Sequence, residues 1–237
     1  MVRRAELDPL ARNDYPTSDG RPMAETDWHR DLMLQLIATL QHFFRDQPST
    51  YVSGNLLVFY RPNDKRRHIS PDVFVVHGVP KGQRPNYLIW EEGKAPEMVI
   101  ELTSKTTRRE DIHTKMELYR DVLKVKEYFL FDPLEDYLKP SMQGYRLTSG
   151  VYRPIRLKDG RLPSRILGLH LECSGVDLRL WNPATGLWLP TDSERAETAI
   201  EQAEVERERA ENAEAEVERL RNLLALRKPH ANGTNGA

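Results

Sequence analysis

Glu97-Met98-Val99-Ile100-Glu101-Leu102-Thr103 is an apolar run with a carboxylate in its middle, and the fold turns on how it is read. A run this short, rich in aliphatic residues, reads as a strand. Side chains alternate along a strand, so Val99, Glu101 and Thr103 share one face and Ile100 and Leu102 the other. A strand apolar on both faces belongs in the middle of a covered sheet. A carboxylate there is costly unless it meets a cation or a metal ion. Both outcomes are open at this point, and for a single buried Glu a salt bridge to Arg or Lys is the commoner one.

A second acid lies upstream. Ser70-Pro71-Asp72 opens Val73-Phe74-Val75-Val76, again a short continuous apolar run. A Pro-Asp step is also a common turn device, so Asp72 by itself means little. The combination says more: an Asp opens one strand and a Glu lies inside the next. A hairpin-like approach of the two strands would bring the carboxylates together. Mg²⁺ takes one or two carboxylates, keeps waters and accepts phosphate oxygens.

Working outward, Thr26 or Asp27 is placed to cap a helix beginning near Trp28, with Leu32, Leu36, Ile37, Leu40 and Phe44 at helical spacing. Val52 to Tyr60 reads as a strand and Arg61-Pro62-Asn63-Asp64 as a turn. His77 to Pro96 reads as a loop holding Trp90. Thr106 or Thr107 can cap a helix over Arg109–Val122, on which Asp111, Lys115 and Tyr119 fall at i, i+4 and i+8 on one face. That spacing suits either an exposed Asp–Lys pair or a lysine aimed at the two acids. Glu127-Tyr128-Phe129-Leu130-Phe131 is a further strand, stopped by Asp132-Pro133. The order helix, three strands, helix, strand predicts an α/β core with a helix crossing between its last two strands.

The flanks differ from this core. Residues 1–22 are polar and read as a flexible arm. Residues 137–190 alternate short strands with turns and predict a β-rich extension, so one domain spans 23–190. Residues 191–228 predict a helix. Ala196, Ala203, Ala210, Val217 and Leu224 fall seven apart, with Ala199, Ala213 and Leu220 at the alternate position, interrupted by Glu206. This is a heptad seam and predicts a coiled coil over 193–227, with a homodimer the expected assembly. Residues 229–237 read as a disordered tail.

Composition sets limits. The 237-residue chain has one cysteine, Cys173, which excludes an internal disulfide and a Cys-rich zinc site. Neither a signal peptide nor an apolar run long enough to span a bilayer is visible, so a cytoplasmic, membrane-free setting is expected. The net charge of −1 conceals an acidic segment, ten Glu against five Arg over residues 193–221. The rest is mildly basic, with clusters at Lys65, Arg66 and Arg67, at Lys81 and Arg84, and at Lys105, Arg108 and Arg109. Such clusters suit a nucleic-acid backbone or serve simply as solvated loops. The seven His show no zinc spacing, and neither a phosphate-binding glycine loop nor a Gly-x-Ser-x-Gly elbow is present. Cys173 reads as a buried thiol.

Taken in order, Ser70 to Val76, Val99 to Ser104, Asp111 with Lys115 and Tyr119, and Glu127 to Pro133 resemble the Uma-two family of the restriction-endonuclease-like PD-(D/E)xK superfamily. Met23-Ala24-Glu25-Thr26 through His29 resembles that family's first helix. The resemblance spans about residues 23–190. It implies a nuclease fold with Asp72 and Glu101 as ligands of Mg²⁺ or Mn²⁺, and an endonuclease acting on DNA. The superfamily pattern places a lysine two residues after the Glu, where this chain has Thr103. Lys115 is then the candidate for the lysine's role, with Lys105 ranked behind it. Tyr119 shares its helix face, and Glu25 and His29 are possible accessory ligands or bases, or else capping and surface residues. The alternative is a catalytically inactive nuclease-fold module that binds nucleic acid or assembles through its tail.

Overall fold

The computed structural model describes residues 15–18, 26–104 and 110–226, in two units that meet at Thr191/Asp192. Thr26 caps the first helix, α1 (Asp27–Phe43), by accepting a hydrogen bond from the His29 N–H. Its apolar residues Leu32, Met33, Leu36 and Leu40 are buried.

Seven strands precede and follow the crossover: β1 (Thr50–Ser53), β2 (Val58–Phe59), β3 (His68–Ile69), β4 (Val73–His77), β5 (Tyr87–Leu88), β6 (Met98–Leu102) and β7 (Glu127–Phe131). Six more make up the extension: β8 (Met142–Thr148), β9 (Val151–Pro154), β10 (Leu162–Pro163), β11 (His170–Ser174), β12 (Asp177–Asn182) and β13 (Leu187–Trp188). The main sheet has the order β1-β4-β6-β7-β8-β9. Only β6 and β7 run parallel; the other neighbours are antiparallel. The parallel step requires a crossover, and the helical segment 110–122 supplies it.

Alternation along β4 and β6 divides the core. Val73, Val75, Ile100 and Leu102 face α1 and the leucines of β10–β12. Phe74, Val76 and Val99 face the opposite way, toward Tyr119, Leu123 and Tyr128. Each such side chain removed from water contributes roughly 1.5–3 kcal/mol, which makes β4, β6 and β7 the firm floor on which the acids stand.

Four expectations need correction. Val52–Tyr60 is not one strand. β1 stops at Ser53 because Gly54 packs against the Asp72 backbone, and Asn55 turns left-handed (φ 47°) with its N–H donating to Pro71 O. The chain then leaves the main sheet, and β2 joins β3 and β5 in a separate three-stranded sheet. The stretch after His77 is not irregular throughout: it holds β5 and a short helix, α2 (Ile89–Glu92). The crossover helix is described from Glu110 and is wound mostly as π-helix, over Glu110–Lys115 and Leu118–Val122. The expected loose arm is tethered at Tyr15, whose ring packs on Phe59 and Trp90 and whose hydroxyl accepts from the Asn63 N–H.

The extension is tied to the main sheet by Glu127, a buried carboxylate that accepts from Arg146, Ser164 and the N–H groups of Arg165 and Ile166. In the second unit, α3 (Asp192–Leu226) is a single helix. No described helix is long and apolar enough to cross a membrane.

Candidate metal and catalytic site

The β4–β6 register pairs Val73 with Ile100, so the next step outward sets Asp72 across from Glu101. Asp72 is fixed from two sides. Its Oδ2 accepts the Leu102 N–H at 2.7 Å, and Gly54 lies so close that a Cβ there would sit 1.8 Å from the Asp72 carbonyl oxygen. His29, one turn into α1, brings Nε2 to 3.4 Å from Asp72 Oδ2.

Glu101 projects from β6 toward segment 110–122, which supplies Tyr119 and Lys115 as side-chain partners. Tyr119 OH donates to Oε1 at 2.5 Å, and Lys115 Nζ donates to Oε2 at 2.8 Å. The same ammonium lies 3.0 Å from Asp111 Oδ1. Thr103 OH donates to the other Asp111 oxygen at 2.8 Å, and Tyr137 OH lies against Thr103 Oγ1. Tyr128 OH donates to the Asp111 carbonyl at 2.9 Å. The side chains of His29, Asp72 and Lys115 are 14–16 % exposed, whereas those of Glu101 and Asp111 are 1–2 % exposed.

Two carboxylates, Glu101 and Asp111, therefore hold one ammonium, and the charge of Asp72 acts on it as well. Burial pushes the Glu101 carboxyl well above the ordinary range; Lys115 opposes that push, and Asp72 and Asp111 reinforce it. Burial also raises Asp72, but the hydrogen bond with His29, the charges of Lys115 and His29 and the Leu102 N–H outweigh it, leaving Asp72 below its usual value. Neighbouring acids whose environments push them apart in this way are a recurring feature of reactive sites. Burial disfavours the Lys115 charge, yet Glu101, Asp111 and Asp72 more than offset this and hold it as an ammonium. Burial and Glu101 keep Tyr119 a neutral phenol.

The donor set fits a hard divalent cation. Its oxygens are carboxylates from adjacent strands, the donor type such an ion takes. Among the described residues no three His, Cys, Asp or Glu side chains form a ready-made cage, so any ion here would rest on one or two carboxylates and keep waters.

Asp72, Glu101, Lys115, Tyr119, His29 and Thr103 are thus gathered in one place. Glu25, Lys105 and the capping Thr106 and Thr107 lie outside the described residues. Asp111 was the residue missed: its spacing from Lys115 was visible, but the reading of an exposed pair is overturned by its burial. The basic clusters also need correction. Arg84 is committed to Glu92 and stacked on Tyr51, and Lys81 donates to the carbonyls of Phe44 and Arg45, so both serve the fold. Arg66, in the β2–β3 turn, has a side chain 95 % exposed.

The sequence profile of a family named Uma2 and described as "Putative restriction endonuclease" matches residues 5–177. No curated protein matches. A solved structure described as "a putative nuclease belonging to DUF820 from Anabaena variabilis ATCC 29413" aligns at 19 % identity and a TM-score of 0.46, over 68 % of this chain and 87 % of that one.

Proposed function

Because the chain belongs to the Uma2 family of restriction-endonuclease-like proteins, we propose that it is a Mg²⁺- or Mn²⁺-dependent endonuclease that hydrolyses phosphodiester bonds in DNA. The observation that carries this reading is the pairing of Asp72 and Glu101 on adjacent strands, beside the Lys115 amine that contacts Glu101 and Asp111. Asp72 and Glu101 are the residues that would hold the ion, which when bound lowers the pKa of a coordinated water and neutralises charge building on the phosphate.

The chain's own residues do the rest. Lys115 is already protonated, so it acts as a donor to a phosphate oxygen and not as a base. Tyr119 holds Glu101 in one rotamer through its hydrogen bond. Thr103, where the superfamily pattern has a lysine, turns Asp111 toward Lys115 and so acts as a positioning residue. His29 stands beside Asp72, placed to orient it. Exposed Arg66 and its neighbours Lys65 and Arg67 meet the nucleic-acid backbone. The protein acts in the cytoplasm and self-associates through residues 193–227 as a homodimer.

A second reading draws on the way Lys115 fills the space between Glu101 and Asp111: a catalytically inactive module that binds nucleic acid. The test incubates purified protein with supercoiled plasmid and with single-stranded DNA, in Mg²⁺ or Mn²⁺. The proposed activity requires metal-dependent nicking that is lost in Asp72→Ala and in Glu101→Ala. Cleavage that persists in either variant removes the site. Absence of cleavage together with DNA binding establishes the second reading.

A further inference from the structure

From residue 196 to residue 224 every side chain of α3 is exposed, including Val217, Leu220 and Leu224 at 46–65 %. A helix that leaves such residues in water needs a partner for them. We infer that the partner is a second copy of α3, running parallel and in register. This rests on the reading of α3 as the self-association element and assigns its geometry.

Three features select that arrangement. The first is the distribution of apolar weight. With Ala196, Ala203, Ala210, Val217 and Leu224 at the first core position and Ala199, Glu206, Ala213 and Leu220 at the second, the large residues fall in the last third. Parallel strands set Val217, Leu220 and Leu224 against themselves. Antiparallel strands set them against the alanines and leave the apolar area half covered. A β-branched residue at the first position with Leu at the second also favours two strands.

The second feature is charge. In a parallel pair the residue preceding a first core position faces the residue five further on in the partner. Arg209 then meets Glu214 and Glu216 meets Arg221, each twice by symmetry. The third is what the opposite orientation would do. Full antiparallel overlap of Asp192–Leu226 centres near residue 209, so Arg207 and Arg209 would face their own copies. Glu206 meets its own copy in the parallel pair, which weakens the first half of the seam and confines firm pairing to residues 209–224.

The experiment uses full-length protein carrying Cys173→Ser, so that introduced thiols are the only ones. Val217→Cys and Ala199→Cys chains are prepared separately, mixed, and oxidised under equilibrium exchange. The parallel pair yields disulfides of Val217→Cys with itself. A product dominated by position 217 joined to position 199 overturns the orientation. Light scattering on the same protein separates the two layers of the reading: a monomeric mass removes self-association through α3 and the orientation with it, whereas a dimer with the crossed product removes the orientation alone. Charge exchange provides the second readout. Arg209→Glu weakens the dimer about tenfold by converting two attractions into repulsions, and adding Glu214→Arg restores it. A double variant no tighter than the single one contradicts the parallel register.

Discussion

At the scale of single residues the site is a problem of charge. Glu101 is buried among apolar neighbours, and its survival there depends on Lys115, Tyr119 and the strand across from it. Replacing Lys115 by Met leaves Glu101 and Asp111 without their cation. Removing one partner of a buried pair costs about 3–5 kcal/mol. The prediction is a large fall in Tm for Lys115→Met, with cleavage reduced about 10²–10³-fold if Lys115 serves the developing charge. Lys115→Arg keeps the charge but not the compact geometry, so it regains most of the stability and little of the rate. Equal recovery of both by Arg would show that charge alone matters and would contradict the positioning argument. Glu101 was legible in the sequence, because a carboxylate inside an apolar run is conspicuous; Asp72, at the entry of its strand, was legible only in combination with it. Asp111 was not, since its burial is decided by Thr103, Tyr128 and Tyr137, which come from other segments.

At the scale of elements, β4, β6, β7 and α1 were readable because each carries a full period of its own pattern. The two-residue strands β2, β3 and β5 carry no period, and their pairing is a tertiary outcome. The break after β1 was the informative miss. Val52 to Tyr60 looks continuous, yet Gly54 is where two backbones meet, and only a residue without a Cβ allows it. Gly54→Ala therefore places a methyl 1.8 Å from Asp72 O and 2.7 Å from Ile37 Cδ1. Backbone cannot yield cheaply, so the expected cost is at least about 1–3 kcal/mol, with Asp72 displaced and cleavage reduced beyond what the loss of stability explains. Unchanged Tm and rate would mean that the strands separate freely there, against the close packing described. The π-winding of segment 110–122 was likewise invisible to spacing rules. It widens the helix where its side chains reach Glu101, in keeping with the tendency of such turns to occur at functional sites.

At the scale of the whole molecule, the chain divides into two units at Thr191/Asp192, where the composition turns abruptly to Ala, Glu and Arg. The basic surface was less legible, since Lys81 and Arg84 turned out to be structural. Acid sensitivity of the folded unit offers a test independent of the site. Burial raises the Glu97 carboxyl, but hydrogen bonds from Lys126 and the His77 N–H lower it further than burial raises it. Its folded pKa is thus below the unfolded one, so its contribution is present above the ordinary Glu range and is lost as pH falls through the folded value. Glu97→Gln should cost about 0.5–1 kcal/mol at pH 7, modest because Lys126 is exposed, with the difference from wild type closing below about pH 4. A difference that widens in acid would reverse the sign and refute the account of Glu97. The central claim is that Asp72 and Glu101 hold one ion between them, and the most direct measurement is anomalous diffraction from crystals soaked in Mn²⁺. The account predicts a single peak within bonding distance of carboxylate oxygens of both Asp72 and Glu101, with Lys115 beside it; a peak elsewhere, or none at a Mn²⁺ concentration that supports cleavage, would contradict it.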